Sequence, residues 1–465
     1  MDATDLAFAG LGRQAQLVRD GDVSPRELVE LYLARIERID PQLNAIRVTF
    51  AERALIEADQ AAARRRAGAG AEDRPLLGVP ILIKDDVDVA GELTPYGTAA
   101  TDGRPATTDA EVVRRLRAAG AIVIGKTNVP ELTQWPFTET ITYGITRNPW
   151  DLDRTPGGSS GGSGAAVAAG LAAAALATDG AGSIRIPASC CALFGLKPQR
   201  GRVPEAPKVE PWQDLTVTGA LTRSVADTAL WLDATADRDA GTPPYAQAAA
   251  TPPKGPLRIA YTTRNPLLAP VRREQREALD ATIALLRELG HTVERVDPPL
   301  DPVLPQVIAR YLRGIADDAG RLAHPERLEP RTQGMVRMGR LLPDGFVRWA
   351  RNEEGATTVR LNRVLVDHDV LLTPGLADLP MPVGRYDGRG ALWTFNGVAR
   401  FTPFTPAWNV TGQPAAAVPA GFTPGGVPLS VQLVGRPRDE ATLLSLAAQM
   451  ETARPWSARR PTLAE

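Results

Sequence analysis

Two short stretches rich in glycine and serine carry the residues of this sequence best suited to chemistry. The first is Thr155-Pro156-Gly157-Gly158-Ser159-Ser160-Gly161-Gly162-Ser163-Gly164. The second is Thr178-Asp179-Gly180-Ala181-Gly182-Ser183-Ile184-Arg185-Ile186-Pro187. Three readings compete for the first. A flexible linker would not feed straight into the alanine-rich run that follows, which predicts a helix over about Ala165 to Ala177. A phosphate-binding loop would need Gly-Lys-Ser/Thr after the glycines, which is absent. The third reading is a rigid loop at a helix amino terminus, where glycines allow close backbone approach and serines supply hydroxyls. In the second stretch, small residues ahead of Ser183 let successive N–H groups point into one cavity, as stabilisation of a developing oxyanion requires. A plain glycine-rich turn explains that stretch equally well when it is taken alone. Lys84, in Val79-Pro80-Ile81-Leu82-Ile83-Lys84-Asp85, is the remaining candidate. Taken alone it reads as a solvated lysine at a strand end beside Asp85 and Asp86.

The elements around these stretches alternate. Ser24-Pro25-Arg26-Glu27 is a capping box, followed by Leu28, Tyr32, Ile36 and Ile39 at helical spacing. The polar stretch around Ala61–Asp73 ends that helical region, and Val79–Ile83 reads as a buried strand running into Lys84. Asp109 is expected to cap a helix that Gly120 stops, with Ala121–Ile124 as the next strand. Leu257–Tyr261, Glu274–Leu289 with Gly290, and Thr292–Val296 repeat the pattern. Asp369–Pro374 is expected to be a central strand, and Asn409–Gly421 to pack beside the catalytic core. This alternation predicts an α/β layer fold with a largely buried sheet. Val303–Gly355 looks like a helical insertion, readable either as a wall of a substrate entrance or as a surface layer.

The 465 residues suffice for a large core, and 53 basic against 54 acidic side chains argue against nucleic acid or an acidic membrane as partner. The arginine clusters at 64–66, 114–117 and 459–460 read as solvated faces. The only cysteines, Cys190 and Cys191, are adjacent, which excludes a disulfide framework and a cysteine-based zinc site. His291, His324 and His368 are too scattered for a histidine metal site, so no metal is expected. The amino terminus lacks the pattern of a signal peptide, and Gly164–Thr178 is too short and mildly apolar to span a bilayer. A cytoplasmic location without membrane attachment is expected.

Together the two glycine-serine clusters, followed by Gly195-Leu196-Lys197-Pro198, resemble the amidase signature family. Further matches are Gly125–Glu131, Thr222–Asp227 and Asn409–Pro414. Lys84 lies 75 residues before Ser159, and Ser183 lies 24 after it, separations similar to those in family members. The resemblance covers most of the chain and is weakest in Val303–Gly355. It implies a single α/β domain over residues 1–465, with a central mixed sheet flanked by helices on both faces and a catalytic core at about 76–230. It further implies Ser183 as nucleophile, Ser159 as relay after a cis peptide, and Lys84 as base. The oxyanion hole would be the N–H groups of Gly180, Ala181, Gly182 and Ser183. Thr133 and Ser159 would contact substrate. Ser160, Asp179 and Arg185 would buttress the loop, the last two as an ion pair. Trp135 is a candidate for the pocket wall; the other tryptophans, Trp150 and Trp408 among them, read as core.

Ala181 departs from the glycine usual in the family and resembles the nylon-oligomer hydrolases, as does Pro455–Pro461. Gln199 also departs, where threonine is common. The implied reaction is acyl transfer on hydrophobic aryl or linear amides, without a cofactor, by a monomer or homodimer. A urethanase-like carbamate hydrolase and the amidase subunit of a glutamine-dependent tRNA amidotransferase are the alternatives. A non-enzymatic scaffold is disfavoured because all three catalytic positions are filled.

Overall fold

A strand that pairs on both edges must satisfy its backbone through its neighbours and bury both faces, so its sequence becomes almost continuously apolar. Pro80–Lys84, Ala174–Asp179 and Val370–Pro374 are such strands, with every residue buried. The computed structural model describes residues 1–68, 74–299 and 303–465. Its main sheet has 11 strands. Taken across the sheet they are 46–49, 122–127, 80–84, 174–179, 217–222, 194–197, 415–422, 428–435, 370–374, 258–261 and 292–295. Pairing is parallel between 80–84 and both of its neighbours, and antiparallel through the middle of the sheet, so the sheet is mixed. Helices Gly161–Ala168 and Arg185–Cys191 pack together against it, and Val225–Thr235 and Glu440–Ala453 form a second packed pair. The α/β class and the mixed, helix-flanked sheet expected from the sequence are both found.

The capping box forms as expected. Ser24 Oγ accepts the Glu27 N–H at 3.2 Å while Glu27 Oε2 accepts the Ser24 N–H at 2.7 Å. Helix Pro25–Leu43 then buries Leu28, Tyr32, Ile36 and Ile39. Val370–Pro374 is an interior strand, paired with 428–435 and 258–261. Residues 69–73 of the polar stretch that ends the early helical region lie outside the described residues.

Two expectations are corrected. Asp109 does not cap the helix Glu111–Ala118; its Oδ1 accepts the Ala90 N–H at 2.8 Å and its Oδ2 lies 3.1 Å from Arg117 Nε. The carboxylate is drawn to a loop and a neighbouring cation, and the helix starts without a side-chain cap. The alanine run is not one helix to Ala177. The helix is Gly161–Ala168, Gly170 turns the chain at φ +65°, and Ala174–Asp179 is a strand in the sheet interior. Ladder hydrogen bonds and complete burial there outweigh alanine's helix preference, worth only a few tenths of a kcal/mol per residue.

Candidate active site

Strands 80–84 and 174–179 run parallel as neighbours, so their carboxyl ends open on the same edge of the sheet. One ends in Lys84, the other in Thr178 and Asp179. In layered α/β folds this edge is where ligands bind. The chain leaves Asp179 through Gly180–Ser183 and enters the helix Arg185–Cys191. Ser159 and Ser160 arrive from the other side, at the amino end of helix Gly161–Ala168, and the Gly158–Ser159 peptide is cis. Glycine is required in this loop for space: a Cβ on Gly162 would meet Asn128 O at 2.5 Å and Ala45 O at 2.6 Å.

Lys84 is fully buried. Its Nζ donates to Ser159 Oγ at 2.8 Å and to Thr178 Oγ1 at 2.6 Å. Thr178 in turn donates to Asp86 Oδ2 at 2.8 Å, and that oxygen lies 3.5 Å from Lys84 Nζ. Burial lowers the Lys84 pKa to about 8; Asp86 and Asp179 oppose that shift, whereas the cation of Lys208 reinforces it. A lysine held there is neutral in a useful fraction of molecules near neutral pH, as a proton acceptor must be.

Asp179 forms a closed network. Arg185 meets its carboxylate with two bonds of 3.0 Å, from Nε to Oδ2 and from Nη2 to Oδ1. Asn409 Nδ2 donates to Asp179 Oδ1 at 2.8 Å and accepts from Arg185 Nη2 at 2.6 Å through its Oδ1. These contacts bring Asn409–Gly421 against the site. Arg185 holds the Asp179 pKa far below the usual carboxylate range, against the opposing effect of burial. Ser160 Oγ donates to Thr178 O at 3.3 Å, which ties the serine loop to the strand end.

The Gly180–Ser183 loop differs from the expected set of four amides. Gly182 N–H is donated to Asp179 Oδ1 at 2.7 Å, so it is occupied within the protein. Among the described residues, the N–H groups of Gly180, Ala181 and Ser183 have no such bond to a side chain. Ala181 is absent from the residues with positive φ, so its Cβ fits. Gly182, at φ +127°, has no room: a Cβ would meet Thr405 Oγ1 at 2.4 Å.

Ser183 is half-buried where two cavities meet. The more polar cavity, of about 450 Å³, sets Ser159, Thr178, Gly180, Lys208 and Asp318 beside Leu93, Leu132 and Leu322. An apolar one of about 190 Å³ is lined by Trp135, Ile186, Val307, Ile308, Tyr311 and Phe395. Thr133 borders both. Among the described residues no hydrogen bond joins Ser183 to Ser159; the two hydroxyls share the polar cavity. Trp135 is buried and also lines the apolar cavity, whereas Trp150 donates through its indole to Cys191 O and Trp408 is core. None of the three histidines lines either cavity: His291 bonds Leu257 and Gln449, His368 meets Glu294 and His324 pairs with Glu326. Of the partners of Lys84, Ser159 was expected from the sequence, whereas Thr178 and Asp86 stood in or next to the motifs without an assigned role, and only the approach of two strands reveals it. Lys208, Trp212 and Asp318 had no local signal.

Burial also explains the cysteines. Cys190 and Cys191 are free and buried, and burial pushes both thiols upward in pKa. No helix is long and apolar enough to cross a membrane, and no cluster able to hold a metal ion occurs, among the described residues.

The chain is similar to known proteins along most of its length. The Amidase family model matches residues 27–444. The chain is 53% identical over 466 residues to the protein named "Putative amidase AmiB2" of Mycobacterium tuberculosis, with 100% of each covered. It is 34% identical over 487 residues to the 6-aminohexanoate-cyclic-dimer hydrolase of Paenarthrobacter ureafaciens, covering 97% of this chain and 96% of that one. A solved structure of 6-aminohexanoate cyclic dimer hydrolase complexed with substrate matches with a TM-score of 0.90 and 32% identity, over 99% of this chain and 100% of that one. With the matched residues spanning both glycine-serine clusters and the lysine strand, the chain belongs to the Amidase family of amide hydrolases.

Proposed function

We propose that the chain cleaves hydrophobic aryl or linear amides through an acyl-enzyme, with Ser183 as nucleophile, Ser159 as relay and Lys84 as base. The observation that carries this reading is the 2.8 Å contact between Ser159 and a fully buried Lys84 at the cavity that Ser183 borders. Ser183 is too weak an acid to attack unaided. Neutral Lys84 takes the Ser159 proton as Ser159 takes that of Ser183, whose oxygen adds to the carbonyl carbon. The amides of Gly180, Ala181 and Ser183 receive the oxyanion. Protonated Lys84 then returns the proton through Ser159 to the leaving nitrogen, and water repeats the sequence to release the acid.

Thr133 sits where a substrate carbonyl would pass, and Ser160, Asp179 and Arg185 hold the loop. Segment 303–355 shapes the entrance, since its first helix, Val303–Gly320, lines both cavities. The chemistry calls for no cofactor. The test is a screen of purified protein against anilides, aliphatic amides, carbamates and glutamine, followed by acid quenching and mass spectrometry. An acyl adduct on Ser183, absent in Ser183→Ala, is the expected result. Turnover by Ser183→Ala equal to that of the parent protein would overturn the assignment.

A further inference from the structure

The two cavities that meet at Ser183 differ in lining, one mixing charged and apolar side chains and the other mostly apolar, and the position of Ser159 decides which half of a substrate enters each. This inference rests on the proton path proposed above. In the tetrahedral intermediate the carbonyl carbon carries four substituents: Ser183 Oγ, the oxyanion, the leaving nitrogen and the acyl chain. The oxyanion is taken by the loop amides. The leaving nitrogen must lie on the side of Ser159, because the C–N bond breaks as Ser159 delivers a proton to that nitrogen. Ser159 and its partner Thr178 line the polar cavity and not the apolar one. The acyl chain is left with the opposite side, the apolar cavity. The water that later cleaves the ester also needs Ser159 and so enters through the polar side, where a polar lining suits it.

Three residues border both spaces, and Trp212 is the largest of them. Trp212 borders both cavities with Thr133 and Ser183. Its indole Nε1 donates to Asp318 Oδ2 at 2.7 Å on the polar side, while its ring meets Tyr311 edge-on at 4.9 Å on the apolar side. The segment that presents it has positive φ at Glu210, Trp212, Gln213 and Asp214, a left-handed run that side chains adopt only when packing holds them there. Asp318, Tyr311 and Val307 all lie on helix Val303–Gly320. That helix therefore supplies the apolar wall and also pins the partition.

We propose that Trp212 is a specificity-determining partition, and that the preferred substrates are amides with an apolar acyl group and a polar amine. The cavity sets the size of the acyl group. An apolar cavity of about 150 Å³ takes up benzene, so about 190 Å³ suits a benzoyl group or a linear chain of similar volume.

Two isomeric amides test the orientation directly: N-(2-hydroxyethyl)hexanamide and N-hexyl-2-hydroxyacetamide. They contain the same atoms, but the apolar arm is on the acyl side in the first and on the amine side in the second. The first is expected to have the higher kcat/KM, by at least about tenfold, and to leave a hexanoyl group on Ser183 after acid quenching. Equal rates, a reversed preference, or no turnover of either isomer by protein active on other amides would overturn the orientation. Turnover undiminished in Ser183→Ala would instead overturn the mechanism beneath it, so the two failures are distinguishable. Trp212→Ala, which joins the two spaces, should narrow the ratio of kcat/KM between the two isomers, and Trp212→Phe should keep the parent ratio. Val307→Trp, which fills the apolar cavity without touching the partition, should suppress hexanoyl and benzoyl amides more than acetyl amides. An isomer ratio unchanged in Trp212→Ala, together with an acyl-length profile unchanged in Val307→Trp, would sink the proposal.

Discussion

Thr178 and Asp179 are consecutive residues on one strand end, yet they anchor two buried polar networks of opposite design. The Thr178 network contains Lys84, Ser159 and Asp86, and it opens on the polar cavity. The Asp179 network contains Arg185 and Asn409, with Gln432 bonded to Arg185 at 2.8 Å, and every member is buried. In the first, one cation faces two hydroxyls and a carboxylate 3.5 Å away, so burial dominates and Lys84 titrates near pH 8. In the second, a two-bond guanidinium contact fixes the charge of Asp179. Burial is common to both. What separates a group that exchanges protons from one that only holds a loop is how completely its charge is matched.

The comparison can be broken in four ways. The largest effect is expected in the open network. Ser183→Ala or Lys84→Ala should lower kcat by at least about a thousandfold, and the double variant little further, because the residues act as one unit. Unchanged circular dichroism and thermal midpoint for Ser183→Ala would show that chemistry alone was lost. An additive double loss would contradict the shared proton path.

In the closed network, Asp179→Ala should cost about 3–5 kcal/mol of stability, because it leaves Arg185 buried and unpaired. Chemical denaturation measures it, and a cost below about 1 kcal/mol would mean the pair is dispensable. The folded pKa of Asp179 is depressed, so its stabilisation is complete at neutral pH and is lost only as pH falls through the strongly acidic range.

The pH dependence is the third test. The proposed mechanism requires neutral Lys84, so kcat/KM should rise with pH towards about 8 and level off above it. The apparent pKa belongs to the coupled Lys84–Ser159–Ser183 unit. Asp86 raises the Lys84 pKa, so Asp86→Asn should move this limb to lower pH while retaining much of the plateau activity. A limb near 6.5 that disappears when one histidine is replaced would identify another base. The smallest effect is expected from Ala181→Gly, which keeps the amide and a compatible φ; its kcat should stay within about threefold of the parent. A larger loss would show that the alanine methyl positions substrate.

Much of the site was legible in the sequence because its parts are local. A buried strand ending in Lys84, serines placed among glycines, and a capping box each depend on residues within a few positions of one another, where backbone sterics and periodicity act. The Lys84–Ser159 contact followed from resemblance alone, since 75 residues separate the pair. Where local propensity conflicted with global packing, the sequence misled. Ala174–Ala177 looks helical but becomes an interior strand, because the sheet needs small, fully buried residues at that place.

By itself, then, the sequence determined the α/β alternation and the absence of a disulfide framework, and through a family resemblance it singled out Lys84, Ser159 and Ser183 as candidates. Only the tertiary structure decided that Asp86 and Thr178 meet Lys84, that Gly182 spends its amide on Asp179, and that Trp212 borders both cavities. These are contacts between segments far apart in the chain. Their energies depend on distance and burial, which no local pattern of residues encodes.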